Sequence, residues 1–311
     1  MHLLDAVFSS SLAALPEIGK ESLRHLRATP ELARKAELVW RVGHDITSEA
    51  PPADLESVLR GRYFPFAEAT TDLEYSILFA LTGVHKAAYS SLRSYFELSL
   101  VGTYFLAHPD ADRKAREWLQ GRSNTPFKRD LFGIILAQPV FVAAEPALNL
   151  KARLDATYGR LSDFAHTRGA AFGHLALTKS NRPRFQPEAL QAFIDDALEA
   201  GRVTALALIL QRPILTLSMP LFEKFGLNVP LSGFLDGEQV ATLRSILSEA
   251  DFEWAERWAL NDPDTVQLAQ YIEALPDITE AEWAEQKRRF DESLQQLAPK
   301  VPDSSDPAAG V

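Results

Sequence analysis

The chain has 311 residues, 46% of them hydrophobic, and a formal net charge of −10, a composition typical of a globular protein with a sizeable core. Because it contains no cysteine, disulfide scaffolds, thiolate zinc sites and cysteine nucleophiles are excluded. The longest uncharged apolar run, residues 131–144, contains a proline and is shorter than the about 18 residues that a membrane span needs. We therefore expect no membrane span, and since no basic segment precedes the apolar N-terminus we expect a cytoplasmic protein.

Charge is distributed unevenly along the chain. Residues 236–311 carry 17 acids against 6 bases, whereas residues 113–184 carry 13 bases against 5 acids. A basic region of this kind attracts phosphates even when the whole chain is acidic. The solvated faces of several helices would give the same charge pattern, so both interpretations stay open.

The first strongly periodic segment begins at Thr71. Thr71-Asp-Leu-Glu74 has the pattern of a capping box, and no proline follows until residue 109. Apolar residues recur at intervals of three and four, and from Leu98 the segment is apolar on every side, which indicates the centre of a helical bundle. The pattern predicts one long helix from Thr71 to Ala107.

The rest of the chain is also predicted to be helical. Helical patterns cover residues 110–119, 127–137, 147–166 and 187–210, the last continuing with kinks at two prolines to residue 225. A loop is predicted over 167–187 and a linker over 226–233, followed by three or four shorter helices to residue 297. Further capping patterns begin at Asp236, Asp264 and Thr279.

These patterns predict an all-α protein with four parts. They are an N-terminal helical segment (1–70), a helical core (71–225), an acidic C-terminal helical segment (226–297) and a disordered tail (298–311).

The common catalytic and cofactor motifs are absent from the sequence. It contains no nucleophile elbow, no phosphate-binding glycine loop, no HExxH motif and no dinucleotide-binding fingerprint. His44-Asp45 and His108-Pro-Asp110 have metal-ligand side chains, but both also fit the polar ends of helices. We expect no metal site and no cofactor.

The helix that ends near His166 carries the most informative polar residues. Ser162 and His166 share a face of small and polar side chains, where Gly159 leaves room for a neighbouring helix or a ligand. Asp163 is near enough in sequence to hold the imidazole. Arg160 lies six residues before His166, about 120° around an ideal helix, so the two converge only if the last turn unwinds or both border one small cavity. A histidine that only satisfies the end of its helix would show the same pattern.

A second polar pair falls on the long predicted helix. Arg93 and Glu97 are four residues apart, and Glu97 lies where the helix becomes apolar on every side. An unpaired carboxylate there would be costly, so Glu97 needs a cation, for which Arg93 is the local candidate and Arg160 a distant one. The pair is either a structural salt bridge or part of a site between two packed helices.

An arginine followed after a few residues by a histidine, near the end of a helix in an all-helical bundle, resembles the HEPN superfamily. Arg160 and His166 have this spacing, and the long preceding helix with Glu97 in its apolar half resembles the HEPN arrangement. The segments RSYFE and YGRLSDFAH are similar to a bacterial helical family of that type with no assigned biochemical role. The resemblance covers roughly residues 71–215.

The resemblance implies a HEPN-like core, a homodimer and metal-independent RNA cleavage in a bacterial defence or toxin-type system. Arg160 and His166 would be catalytic, since histidine can transfer protons near neutral pH and arginine can stabilise charge on a phosphate. The residues with supporting roles would be Glu97, Arg93, Ser162 and Asp163. The basic residues expected to contact nucleic acid are Arg168, Lys179, Arg182 and Arg184.

The alternative function is a non-catalytic helical scaffold for dimerisation or partner binding. Arg160 would then pair with Glu97 or Asp163 in a buried network, and His166 would satisfy a helix end. The acidic C-terminal third would dock a protein partner or cover the basic middle of the chain. Its tryptophans are either anchors for that contact or ordinary core residues, and they are Trp254, Trp258 and Trp283.

Overall fold

The computed structural model describes residues 3–51, 61–180, 182–228 and 233–297. Within these ranges the protein is helical, and its only β-type pairing is an isolated bridge between Ser218 and Leu235, so the predicted all-α class is confirmed. The α-helices are, in chain order, α1 (Leu3–Ala28), α2 (Pro30–Arg41), α3 (Phe64–Leu81), α4 (His85–Ala107), α5 (Ala111–Leu119), α6 (Lys128–Ile135), α7 (Pro139–Leu148), α8 (Leu150–Ala165), α9 (His174–Thr178), α10 (Pro187–Gln211), α11 (Leu221–Phe225), α12 (Gly237–Ile246), α13 (Glu249–Ala259), α14 (Pro263–Ala274) and α15 (Glu280–Leu297). A π-helix, Val42–Ser48, follows α2, and 3-10 turns cover Ala170–Phe172 and Pro213–Thr216.

The predicted helix from Thr71 to Ala107 is wrong, because two helices occupy this region. The hydroxyl of Thr71 lies inside α3 and donates to the carbonyl of Ala67 at 3.3 Å, so Thr71 is not a cap. The chain turns at Gly83, which has a φ of 75°, and a Cβ there would lie 2.6 Å from the carbonyl oxygen of Arg184. Glycine is required at this turn, and the expected boundary between residues 70 and 71 falls inside α3.

Helix α4 is the centre of the bundle and packs against α3, α8 and α10. It runs antiparallel to α8, because Tyr89 stacks on Phe164 while Arg93, further along α4, meets the earlier residue Tyr158. It runs parallel to α10, since the hydroxyl of Tyr89 bonds Asp196 and that of Tyr95 bonds Thr204. The core formed around α4 is one cluster of buried side chains to which every α-helix of the described ranges contributes except α1, α9 and α15.

Several helix ends differ from the sequence expectations. Asn149 adopts a left-handed conformation that separates α7 from α8, where one helix was expected over 147–166. The predicted loop 167–187 contains a 3-10 turn and α9, and the predicted continuation of α10 to Phe225 is interrupted after Gln211. These helix ends depend on tertiary contacts or on single residues with non-helical backbone angles. The spacing of apolar residues in the sequence contains neither.

The capping patterns of the C-terminal helices are correct in two of three cases. Asp236 with Gln239 and Thr279 with Glu282 form reciprocal capping bonds. The third expectation is wrong, because α14 is capped by Asp262, whose carboxylate accepts from the amide of residue 265 at 2.9 Å. The predicted disordered tail, 298–311, lies outside the described residues.

One region has a composition that bears on membranes. Among the residues that the structure describes, no single helix has the length and apolar composition of a membrane span, although α6 and α7 pass that test as a pair bent by 97°. Val140, Phe141, Ala144 and Leu148 of α7 are buried in the protein core.

Candidate functional site

Helix α8 places Arg160 and His166 on different flanks. Leu161 and Phe164 are buried and fix the side of the helix that faces the core. The helix stays intact to its end, since the amide of His166 donates to the carbonyl of Ser162 at 2.9 Å. With 100° per residue, Arg160 and His166 therefore remain about 120° apart, and the structure does not bring the two side chains together.

Arg160 is directed towards α10. Its Nε donates to the carboxylate of Asp196, whose side chain is only 13% exposed and which also accepts from the hydroxyl of Tyr89 at 2.7 Å. The guanidinium lies 5.4 Å from the ring centroid of Phe164. This network joins α8, α10 and α4, and it replaces the expected pairing of Arg160 with Glu97 or Asp163, which is wrong.

The Tyr89 hydroxyl is held as a neutral donor in this network. Burial, and then the negative charge of Asp196, raise the pKa of Tyr89 well above its usual value. The hydrogen bond to Asp196 raises the pKa of Arg160 as well, so the guanidinium stays charged at every physiological pH.

Arg93 is directed to the other flank of α8. Its Nε and Nη2 donate to one oxygen of Glu97 at 3.1 and 2.8 Å, and Nη2 also reaches the hydroxyl of Tyr158 at 3.3 Å. The Arg93 side chain is 18% exposed and that of Glu97 is 29% exposed. Burial by itself lowers the pKa of Arg93, but the hydrogen bond and charge of Glu97 outweigh it and raise that pKa. The local pairing of Glu97 with Arg93 is confirmed.

The remaining Nη1 group of Arg93 contacts Nε2 of His166, which is an exposed residue. A guanidinium can only donate, so Nε2 of the imidazole is the acceptor in this contact. Asp163 accepts instead from Arg168, with Nη1 and Oδ1 3.3 Å apart, so the structure does not show it holding the His166 ring. Arg93 is the group that orients His166.

A cavity of about 220 Å³ opens beside this contact. It is lined by Arg93, Glu97, Lys128 and Tyr158, with Phe127 at its wall. The Lys128 ammonium lies 4.9 Å from the Tyr158 ring centroid and 2.6 Å from Asp155 Oδ1. Lys128 and Tyr158 could not be predicted as neighbours of Arg93 from the sequence, because neither shares a short motif with it.

Two further predicted residues have different surroundings. The Ser162 hydroxyl is buried and has no hydrogen-bond partner among the described residues. A Cβ at Gly159 would meet no described atom within 4 Å, so the space that the sequence predicted over this position is open.

The basic residues predicted to contact nucleic acid are all exposed. They are Arg168, Lys179, Arg182 and Arg184. Their loop lies at the α3–α4 end of the bundle, because the backbone of Arg184 adjoins Gly83 and the Thr167 hydroxyl contacts the Lys86 ammonium. They therefore lie at the same end of the protein as His166, though none of them contacts it.

The His, Asp and Glu side chains that could bind a metal either contact other side chains or lie far apart in the described ranges. His44 lies 3.0 Å from a carboxylate oxygen of Glu74 and stacks on Trp40 with ring centroids 4.0 Å apart. Across the described ranges, no group of three or more His, Asp and Glu side chains is arranged to hold a metal ion.

Comparison of the chain with protein-family models, with curated proteins and with solved structures gives no match. The fold and site define an all-α protein in which a partly buried Arg–Glu–Tyr cluster lies between two antiparallel helices and contacts an exposed histidine.

Proposed function

We propose that the protein is a HEPN-like, metal-independent endoribonuclease in which His166 and Arg93 act on the RNA phosphodiester. The observation that carries the proposal is the contact between the exposed His166 ring and a guanidinium held in place by Glu97 and Tyr158. The antiparallel packing of α4 and α8 also supports the HEPN resemblance.

The arrangement supplies the two groups that such a reaction needs. A phosphate that accepts the Nη1 hydrogen of Arg93 takes the place of the His166 ring and frees the lone pair on Nε2. The imidazole can then remove the proton from a ribose 2′-hydroxyl, whose oxygen attacks the phosphorus while the bond to the 5′ oxygen breaks. The departing 5′ oxygen takes up a proton from water, and His166 releases the proton that it removed to solvent. Arg93 stabilises the charge that develops on the phosphate.

Arg160 has a structural role in this proposal. Its Nε is bound to a nearly buried carboxylate and its side chain points to the flank away from His166. The exposed arginine and lysine side chains of the 167–185 loop would bind the phosphate backbone of RNA, whatever the RNA sequence. The proposal also includes what the resemblance implies, a cytoplasmic homodimer in a bacterial defence or toxin-type system, with the acidic C-terminal third as the surface for a protein partner.

The substitution His166→Gln tests the reaction, because glutamine keeps a polar side chain but cannot exchange a proton near neutral pH. We expect wild-type protein to cleave single-stranded RNA in the presence of EDTA, and the variant to be about 100- to 10,000-fold slower. His44→Gln is the matched control, since His44 is also partly exposed but lies at Glu74 and Trp40. Cleavage that needs a divalent cation, or that survives His166→Gln, contradicts the proposal.

The second candidate function is a non-catalytic scaffold, favoured by the Tyr89–Asp196–Arg160 network. This network joins three helices and uses the polar groups of α8 for packing. Wild-type protein that cleaves no RNA and loses much of its thermal stability on Arg160→Ala would favour this function.

A further inference from the structure

A second cavity of about 290 Å³ lies next to the one that borders Arg93. Its walls include four aromatic rings, those of Tyr104, Phe105, Trp118 and Phe127. The rings of Phe105 and Trp118 are 5.8 Å apart, and the indole is fixed by a 3.1 Å hydrogen bond from its Nε1 to the hydroxyl of Thr125. The rings of Phe105 and Trp118 are therefore held in place before any ligand binds.

The two cavities share one segment of chain. Thr125, Pro126 and Phe127 line both of them, so a ligand that passes over Phe127 reaches the aromatic cavity on one side and Arg93 with Lys128 on the other. Phe127 is 74% exposed, more than any other large hydrophobic side chain in the described ranges, so its ring is open to solvent. The structure therefore places the exposed ring of Phe127 beside Arg93 and Lys128, each of which is paired with a carboxylate, at the edge of the aromatic cavity.

The aromatic cavity also contains polar groups suited to a base edge. The Lys114 ammonium forms no ion pair with any described residue, and the exposed side-chain amide of Asn124 offers a donor and an acceptor. A volume of about 290 Å³ lies at the lower end of the range for small-molecule sites, which suits one base better than a whole dinucleotide.

We propose that this cavity binds one base of a single-stranded RNA whose adjoining phosphate lies at Arg93 and Lys128. The inference rests on the proposed ribonuclease function and specifies where the RNA strand would bind. Any of the four bases can stack on an aromatic ring, because each has an aromatic face. The neighbouring cationic side chains would bind the RNA phosphate backbone. The continuity of the aromatic cavity with these cations favours RNA over an apolar protein segment.

The test measures binding of a labelled 2′-O-methyl hexauridylate, which cannot be cleaved through its 2′ oxygen, and of an abasic hexamer with the same backbone. Phe127→Ala should weaken binding of the base-containing hexamer about 5- to 100-fold and leave the abasic hexamer unchanged, because only the stacking contact is lost. Phe222→Ala is the control, since Phe222 is also exposed, at 50%, but lies in α11.

The outcomes separate this inference from the proposed function. Equal losses for both hexamers, no loss, or no RNA binding by the wild type overturn the base site, even if the wild type cleaves RNA through His166. A selective loss in a protein that cleaves no RNA supports the base site and overturns the ribonuclease. Phe127→Ala that weakens binding of a protein partner but not of RNA assigns the cavity to that partner and overturns the proposal.

Discussion

Arg93 of α4 and Arg160 of α8 pair with carboxylates that differ in solvent exposure. Arg93 and Glu97 are both partly buried and belong to the same helix, so their side chains are neighbours wherever α4 lies. Arg160 is 50% exposed, but its partner Asp196 is 13% exposed and belongs to another helix. The Arg160 pair therefore depends on the tertiary fold and contributes to it.

Removing Arg160 should destabilise the fold. In Arg160→Ala, Asp196 keeps only the hydrogen bond from Tyr89 and becomes a mostly buried carboxylate without a cation. We expect a loss of about 1–3 kcal/mol in the free energy of unfolding, measured by urea denaturation. This is below the cost of breaking a fully enclosed pair, since half of the Arg160 side chain is solvated.

The control for this experiment is the pair of Arg168 and Asp163. Arg168 is 82% exposed, so Arg168→Ala should change the stability by less than about 0.5 kcal/mol. Equal effects of the two substitutions would contradict the structural role given to Arg160.

The same two arginines show what the sequence can predict about the site. Glu97 and Arg93 are an i, i+4 pair, a spacing that predicts contact on any helix. Asp196 lies 36 residues after Arg160 and Lys128 lies before α8, so their proximity depends on how α6, α8 and α10 pack. No local periodicity contains that information.

At the scale of elements, the contact between α3 and α4 depends on one position without a side chain. A Cβ at Gly102 would lie 2.4 Å from the ring carbons of Phe66, which is 1% exposed and cannot move into solvent. The glycine permits the close approach of the two helices.

Gly102→Ala should therefore destabilise the protein, although alanine is the better helix former. Overpacking costs typically 1–3 kcal/mol and the gain in helix propensity is about 1 kcal/mol, so we expect a net loss of up to about 2 kcal/mol in thermal or urea unfolding. Phe66→Leu in the Gly102→Ala background should recover part of the loss. Gly133→Ala is the control, because a Cβ there meets no described atom within 4 Å. A stabilised Gly102→Ala would disprove the close contact.

The turn between α3 and α4 shows why element boundaries were harder to predict than element type. The apolar periodicity continues on both sides of Gly83, and Thr71-x-x-Glu74 has the same letters inside a helix as at its start. The positive φ of Gly83 and its contact with the backbone of Arg184 decide the break, and both belong to the folded chain. The all-α class follows from periodicity alone, whereas the hairpin does not.

At the scale of the whole molecule, part of the acidic C-terminal third is bound to the helical core. Arg153 of α8 donates to both carboxylate oxygens of Asp251 in α13 at 2.9 and 3.0 Å, and the Asp251 side chain is 7% exposed. Trp254 and Trp258 stack with ring centroids 5.5 Å apart and pack against the core, while Trp283 is 38% exposed. These contacts leave the outward flank of α8 near Gly159 uncovered.

We expect this flank to lie near the twofold axis of a homodimer. Light scattering at micromolar concentration should give twice the chain mass of 34.5 kDa. Gly159→Arg should convert the dimer into monomers without unfolding, because the open space over Gly159 accepts a side chain within one chain but not across a close helix pair. Gly133→Arg is the control, since Gly133 has equal open space on α6. A wild type of monomer mass, or a Gly159→Arg variant that stays dimeric with unchanged circular dichroism, would rule out this interface, because a charged side chain cannot be enclosed at a close helix contact without a partner.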